Sequence, residues 1–250
     1  MYKIIAGLLL MMGMASCVKD VAPKEGVSLI VINAVTGSKP LATNFNGTGP
    51  VRFIDTRRVV YGQFSLNSNL FEREAGTVLL GLYQYPDTLA KDNPLFNLKL
   101  DLPAGSMNSL YLSGTVDAPD TVLVRDQLPG FAPTDTSMGL RFVNLSKGSN
   151  PVTVQLVGAT TGPEVTALAY KAVSPTKKYP LIRKKGNYVF EFRDAVTNDL
   201  LVTYTATGID NDGIPPRDPN IWIYRNFTLA LIGKPGGTGA EAQAVLLIRN

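Results

Sequence analysis

Beyond residue 26 the chain is dominated by apolar and polar positions that alternate with a period of two. FNLKLDL (96–102) sets Phe96, Leu98, Leu100 and Leu102 on one face and Asn97, Lys99 and Asp101 on the other. NYVFEFR (187–193) does the same with Tyr188, Phe190 and Phe192 against Val189, Glu191 and Arg193, and VTVQLV (152–157) and FTLALI (227–232) follow. This period, with one polar face, predicts half-buried antiparallel strands. Turn clusters such as NFNGTGP, DLPAGSMN, TTGP, RKKGN and PGGTG separate them. No segment carries a capped helical stripe, so the pattern predicts an all-β chain.

The pattern also repeats. SLIVINAVTGSKPL (28–41) and GLRFVNLSKGSNPV (139–152) each run from an apolar stretch to an Asn (Asn33, Asn144), then through polar residues to a Pro (Pro40, Pro151). EREAGTVLLGLY around Gly76 matches IRKKGNYVFEFR around Gly186, SLYLSG (109–114) matches TLALIG (228–233), and VLVRD (122–126) matches VLLIRN (245–250). Four blocks recurring in order, about 110 to 124 residues apart, predict a duplicated domain rather than a solenoid. The Pro, Gly and Asp of DQLPGFAPTDTS mark the boundary. The expected units are residues 27–130 and 131–250. Each holds about seven short strands, which favours an immunoglobulin-like antiparallel β-sandwich, although strand number alone leaves a closed barrel open.

The N-terminus reads as an address. In MYKIIAGLLLMMGMASC, Lys3 precedes an apolar run from Ile4 to Met14, followed by Ala15, Ser16 and the only cysteine, Cys17. The run is short for a transmembrane helix and fits a secretory signal over residues 1–16. Ala-Ser-Cys resembles a bacterial lipobox, with Met14 standing where that pattern prefers Leu. The resemblance implies that Cys17 is lipidated and opens the mature chain; the competing reading is a plain secretory signal with an incidental cysteine. Residues 17–26 would then be a tether of roughly 30 Å at most.

Composition narrows the chemistry. With no His and one Cys, the chain has no His-based catalytic pair, no His-ligated zinc, no internal disulfide and no thiolate cluster. An enzyme would have to work with carboxylates, Lys or Tyr. A net charge of +4, with basic pairs scattered along the chain, argues against nucleic acid.

The Asn-to-Pro openings, the turn-Gly-strand blocks and the closing strands that end in Gly114 and Gly233 resemble a secreted domain catalogued as domain of unknown function 4397. That domain is common in tandem in cell-envelope lipoproteins of Bacteroidetes-type bacteria. The resemblance covers nearly all of residues 27–250. It implies an outer-membrane, lipid-anchored location, on the periplasmic or surface face, and brings no catalytic residues.

Three stretches are candidate sites. GIDNDGIPPRD holds Asp210, Asp212 and Asp218, a possible calcium loop, but Gly208 stands where an EF-hand would begin with Asp, no Glu closes it, and turns use the same residues. In NIWIYRN a strand would point Ile221 and Ile223 one way and Trp222 and Tyr224 the other. The aromatics then form an exposed ligand-binding pair, or Trp222 fills the core. Lys177-Lys178 and Arg183-Lys184-Lys185 read as anion contacts or as charges guarding a strand edge. The expectation is a non-catalytic envelope module without cofactor, tethered to the membrane and binding a glycan or an envelope protein. A fimbrial or matrix subunit assembling by strand exchange is the alternative, and a carboxylate enzyme is third.

Overall fold

The computed structural model describes residues 25–48, 51, 56–89, 92–181, 186–211 and 220–250. Cys17 and the signal segment, Arg183 to Lys185, Asp212 and Asp218 lie outside the described residues. The chain is all-β. The first half carries β1 (Gly26–Asn33), β2 (Leu41–Asn44), β3 (Arg58–Val59), β4 (Leu70–Glu74), β5 (Gly76–Gln84), β6 (Phe96–Leu102), β7 (Met107–Gly114) and β8 (Pro119–Arg125). The second carries β9 (Ser137–Asn144), β10 (Val152–Leu156), β11 (Val165–Leu168), β12 (Lys177–Pro180), β13 (Tyr188–Asp194), β14 (Leu200–Ala206), β15 (Asn226–Ile232) and β16 (Ala244–Arg249). One four-residue helix, Leu66–Asn69, precedes β4.

The halves have the same topology. Sheets β4-β1-β7-β8 and β3-β2-β5-β6 in the first correspond strand for strand to β12-β9-β15-β16 and β11-β10-β13-β14 in the second. Among the described residues each half has eight strands, one more than the pattern suggested. Each also has one parallel pair, β1 with β7 and β9 with β15, in an otherwise antiparallel arrangement. In those pairs Asn33 lies opposite Leu112 and Asn144 opposite Leu231, so the two registers coincide.

The repeated Asn is the corner where the chain leaves one sheet for the other. Asn33 Oδ1 accepts from the Val35 N–H, and its Nδ2 donates to Ser38 Oγ and the Val59 carbonyl. Asn144 makes the same three contacts with Ser146, Ser149 and Leu168. An Asn side chain that closes its own turn and ties it to a neighbouring strand satisfies backbone groups the ladder cannot reach. Gly76 and Gly186, which open matching strands or turns, both have positive φ (+114° and +73°), a region costly for other residues.

Three apolar layers hold the four sheets in a stack. One lies inside the first sandwich (Leu29, Val31, Leu80, Leu82, Leu110, Leu112) and one inside the second (Leu140, Phe142, Phe190, Phe192, Leu229, Leu231). The third lies between the halves, where Ile30, Ile32 and Tyr111 meet Val143, Ala230, Ile232 and Ile248. This third layer corrects the expectation for FTLALI: β15 is buried on both faces, not half-buried, because its second face packs on the other domain. β7 is buried likewise from Asn108 onward.

Candidate functional site

The expected aromatic pair does not form. The Asn220 side chain accepts from the Trp222 and Ile223 N–H groups and donates to the Ile209 carbonyl, so residues 220–225 bend instead of running as a strand. The bend cancels the alternation and turns Trp222 inward. The indole is 2% exposed, donates through Nε1 to the Thr207 carbonyl at 2.7 Å and packs 4.7 Å from Phe227. Trp222 is therefore a core residue, and the Trp222–Tyr224 ligand surface is corrected accordingly.

Tyr224 stays 43% exposed, but it is committed to the link between the domains. Its hydroxyl donates to the Pro133 carbonyl and its ring meets Phe131 edge-on. Asn226 Nδ2 donates to the Pro129 carbonyl, and Lys178 donates to the Gly130 carbonyl and to Asp135. These contacts fasten the 127–136 linker onto the second sandwich. The Lys178 hydrogen bond, followed by that of Ser137, holds the Asp135 carboxyl below the usual carboxylate range.

Of the three acidic residues in the proposed calcium loop, only Asp210 is among the described residues, and it is exposed. No group of three metal-ligating side chains occurs among the described residues. Lys177 and Lys178 lie on β12, an edge strand, where charge discourages pairing with another chain. Lys177 is 2.6 Å from the buried carboxylate of Glu164, which also accepts the Tyr179 hydroxyl at 2.7 Å. Burial and then Glu164 push the Tyr179 phenol above its ordinary value. This group ties β12 to the segment entering β11.

Between β3 and β4 the first half has a shallow cleft of about 690 Å³ lined by Arg57, Leu66, Asn67, Leu70, Phe71, Glu72 and Arg73. The Arg73 guanidinium lies 3.7 Å from the centre of the Phe45 ring, and that of Arg57 lies 5.2 Å from the centre of Phe71. Arg57 Nη1 also donates to the Leu70 carbonyl. Arg73 Nη1 donates to the Glu72 carbonyl, and the Glu72 side chain shares the cleft, so the two guanidinium groups stacked on phenyl rings present flat, mainly cationic surfaces suited to planar or anionic groups. Sequence reasoning passed over this cleft, since Arg57 looked like one of several scattered basic residues and nothing local pairs it with Phe71.

A buried ionisable cluster joins the two sandwiches. Arg141, on β9, places Nη1 2.7 Å from Asp126 Oδ1, with side chains 4% and 2% exposed. Its Nη2 donates to Ser109 Oγ and Tyr111 Oη, and its Nε to Thr228 Oγ1. Ser109 Oγ in turn donates to Asp126 Oδ2. Burial pushes the Tyr111 phenol above its ordinary value, opposed in part by the Arg141 guanidinium. The group is closed off by the apolar layer around it.

No family model matches the chain, and no curated protein matches it either. Among solved structures, it is similar to a protein from Bacteroides ovatus described as a "putative adhesin", at 12% identity over 92% of this chain and 97% of that one. The TM-score is 0.25, too low to transfer fold or function.

Proposed function

We propose that the protein is a non-catalytic, lipid-anchored cell-envelope module that works by binding or by building structure. The observation that carries this reading is how the buried ionisable groups are used. Arg141 and Asp126 join the domains, and Glu164 with Tyr179 fastens an edge of the second sandwich. Catalytic groups need a perturbed environment that a substrate can also reach. Here the most enclosed charges are spent on packing. The signal-like N-terminus ending at Cys17 and the resemblance to tandem envelope lipoproteins support the anchoring and an outer-membrane location. The Arg57–Phe71–Arg73 cleft is the surface offered for a ligand, with anionic or flat groups of a glycan or envelope protein as its fitting chemistry.

Replacing Cys17 by Ala and fractionating the cells tests the anchor: the variant should move from the membrane to the soluble fraction, and retention on the membrane would overturn it. Screening the purified mature chain against glycans and cell-wall fragments tests the binding role. A true ligand should lose affinity in Arg57→Ala and keep it in a distant surface variant such as Val196→Ala.

A second reading, assembly through sheet edges, is favoured by β14. This edge strand, LLVTYTA, carries no charge, whereas its counterpart β6 carries Lys99 and Asp101. Uncharged edges are the ones that pair with further chains. Self-assembly of the purified chain, abolished by Thr203→Lys, would support it; a monomer at all concentrations would exclude it.

A further inference from the structure

The sandwiches meet through equivalent surfaces. Because Asn33 matches Asn144 and the β1–β7 register matches β9–β15, each interface position in one half has a counterpart in the other. Ile32 matches Val143, Ala34 matches Leu145, Val122 matches Leu246 and Val124 matches Ile248, and all of them lie in the layer between the domains. The contacts at the rim are reciprocal as well. Ser113, next to last in β7, hydrogen bonds Tyr170 across the interface. The counterpart of Ser113 is Ile232, and it reaches Gly62, beside Tyr61, the counterpart of Tyr170. Gly62 and Lys171 match too: both have left-handed φ (+64° and +65°) and both donate to the carbonyl of the repeated Asn. Contacts of residue i with j and of j with i are the mark of a two-fold, isologous interface.

The symmetry is broken at its centre. Ser109 and Asp126 match Thr228 and Asn250: Ser109 bonds Asp126 as Thr228 bonds Asn250, and the Asp126 and Asn250 N–H groups reach the matched carbonyls of Met107 and Asn226. The counterpart of Arg141, however, is Ile30, since the two lie opposite Thr228 and Ser109. At this buried centre, among the described residues, the second domain thus supplies the arginine and the first the carboxylate, and the half-buried pair Lys171–Asp120 at the rim has the same polarity.

We propose that this surface is a docking face for a second sandwich of the same fold, arranged as in a two-fold dimer, and that Arg141 and Asp126 restrict it to the heterotypic pair. Two copies of the first domain would bury two carboxylates with isoleucine opposite. Two copies of the second would bury two arginines with asparagine opposite. Each homotypic pair leaves charges buried without counterions, which is strongly unfavourable. The linker therefore raises local concentration but does not dictate the arrangement.

The test uses the full chain with a protease site inserted in the 127–136 linker. After cutting, the halves should stay together as one 1:1 particle on size-exclusion chromatography at micromolar concentration. Cut Arg141→Ile should associate roughly a hundredfold more weakly, because Asp126 is left buried alone. Cut Asp126→Asn should weaken in the same way. The double variant, which carries the residues of the sister domain at both positions, should recover most of the loss and show a reduced preference for the heterotypic pair, the remainder resting on Lys171–Asp120 at the rim. Trp222 fluorescence confirms that the second domain is folded in every sample. Halves that separate on cutting, or a double variant no tighter than the singles, would overturn the proposal.

Discussion

Replacing Asn144 by Ala removes the side chain that turns β9 into β10. The amide is fully buried; it accepts from the Ser146 N–H at 3.1 Å and donates to the Leu168 carbonyl at 3.1 Å and to Ser149 Oγ at 3.3 Å. Alanine leaves the Ser146 N–H and the Leu168 carbonyl without these partners in a place closed to water. Each such group costs about 1–3 kcal/mol, so the second domain should lose roughly 2–6 kcal/mol. That is a large share of the ~5–15 kcal/mol that holds a domain folded. Urea unfolding followed by tryptophan emission is the fitting assay, because the single Trp lies in the second core beside Phe227 and must become exposed when that core opens. With a slope of about 2–3 kcal/mol per molar, the midpoint should fall by roughly 0.7–3 M. Asn33→Ala breaks the same corner in the first domain, so it should reach Trp222 only through the interface and shift the midpoint less. A midpoint for Asn144→Ala within about 0.3 M of the parent, at unchanged slope, would refute the structural role given to the repeated Asn.

Two further outcomes follow. Gly233→Ala places a Cβ 2.3 Å from the Ala242 carbonyl oxygen at a φ of +85°, and Gly114→Ala does the same against Ala118 at 2.4 Å. Each should lower stability by about 2 kcal/mol or more, seen as a drop in Tm, while Gly76→Ala, with open space around it, should cost about 1 kcal/mol through φ alone. In the linker, the folded-state pKa of Asp135 is depressed, so its contribution is present above the ordinary carboxylate value and is lost as pH falls through the lowered one. Cleavage by an acid-active protease within residues 127–136 should therefore quicken below about pH 4, and Asp135→Asn should flatten that dependence.

The strands, the duplication and the Asn corners were legible because they rest on local periodicity and on blocks repeated within the chain. FNLKLDL shows its predicted alternation, with Phe96, Leu100 and Leu102 buried. What stayed hidden depends on contacts between distant segments. FTLALI could not show that its second face was covered, since a sister domain covers it. VYGQF (60–64) and AYKAV (169–173) are structural counterparts, yet only the Tyr survives as a shared letter. NIWIYRN alternates like a strand, but Asn220 folds it into a bend, and that decides where Trp222 goes. The arginine in GLRFVN was visible as a lone charge in an apolar strand. Its meaning emerges only beside the isoleucine and asparagine that the other copy carries at the matching places.

The parallel pairing of β1 with β7 has a mechanical side. β1 is an inner strand, bonded antiparallel to β4 and parallel to β7, and it is the first strand among the described residues. Tension applied at Gly26 along the axis of β1 would load the backbone bonds of both ladders together in shear rather than peel them one after another. Pulled along that axis, β1 would leave its sheet only by sliding as a whole past both neighbours.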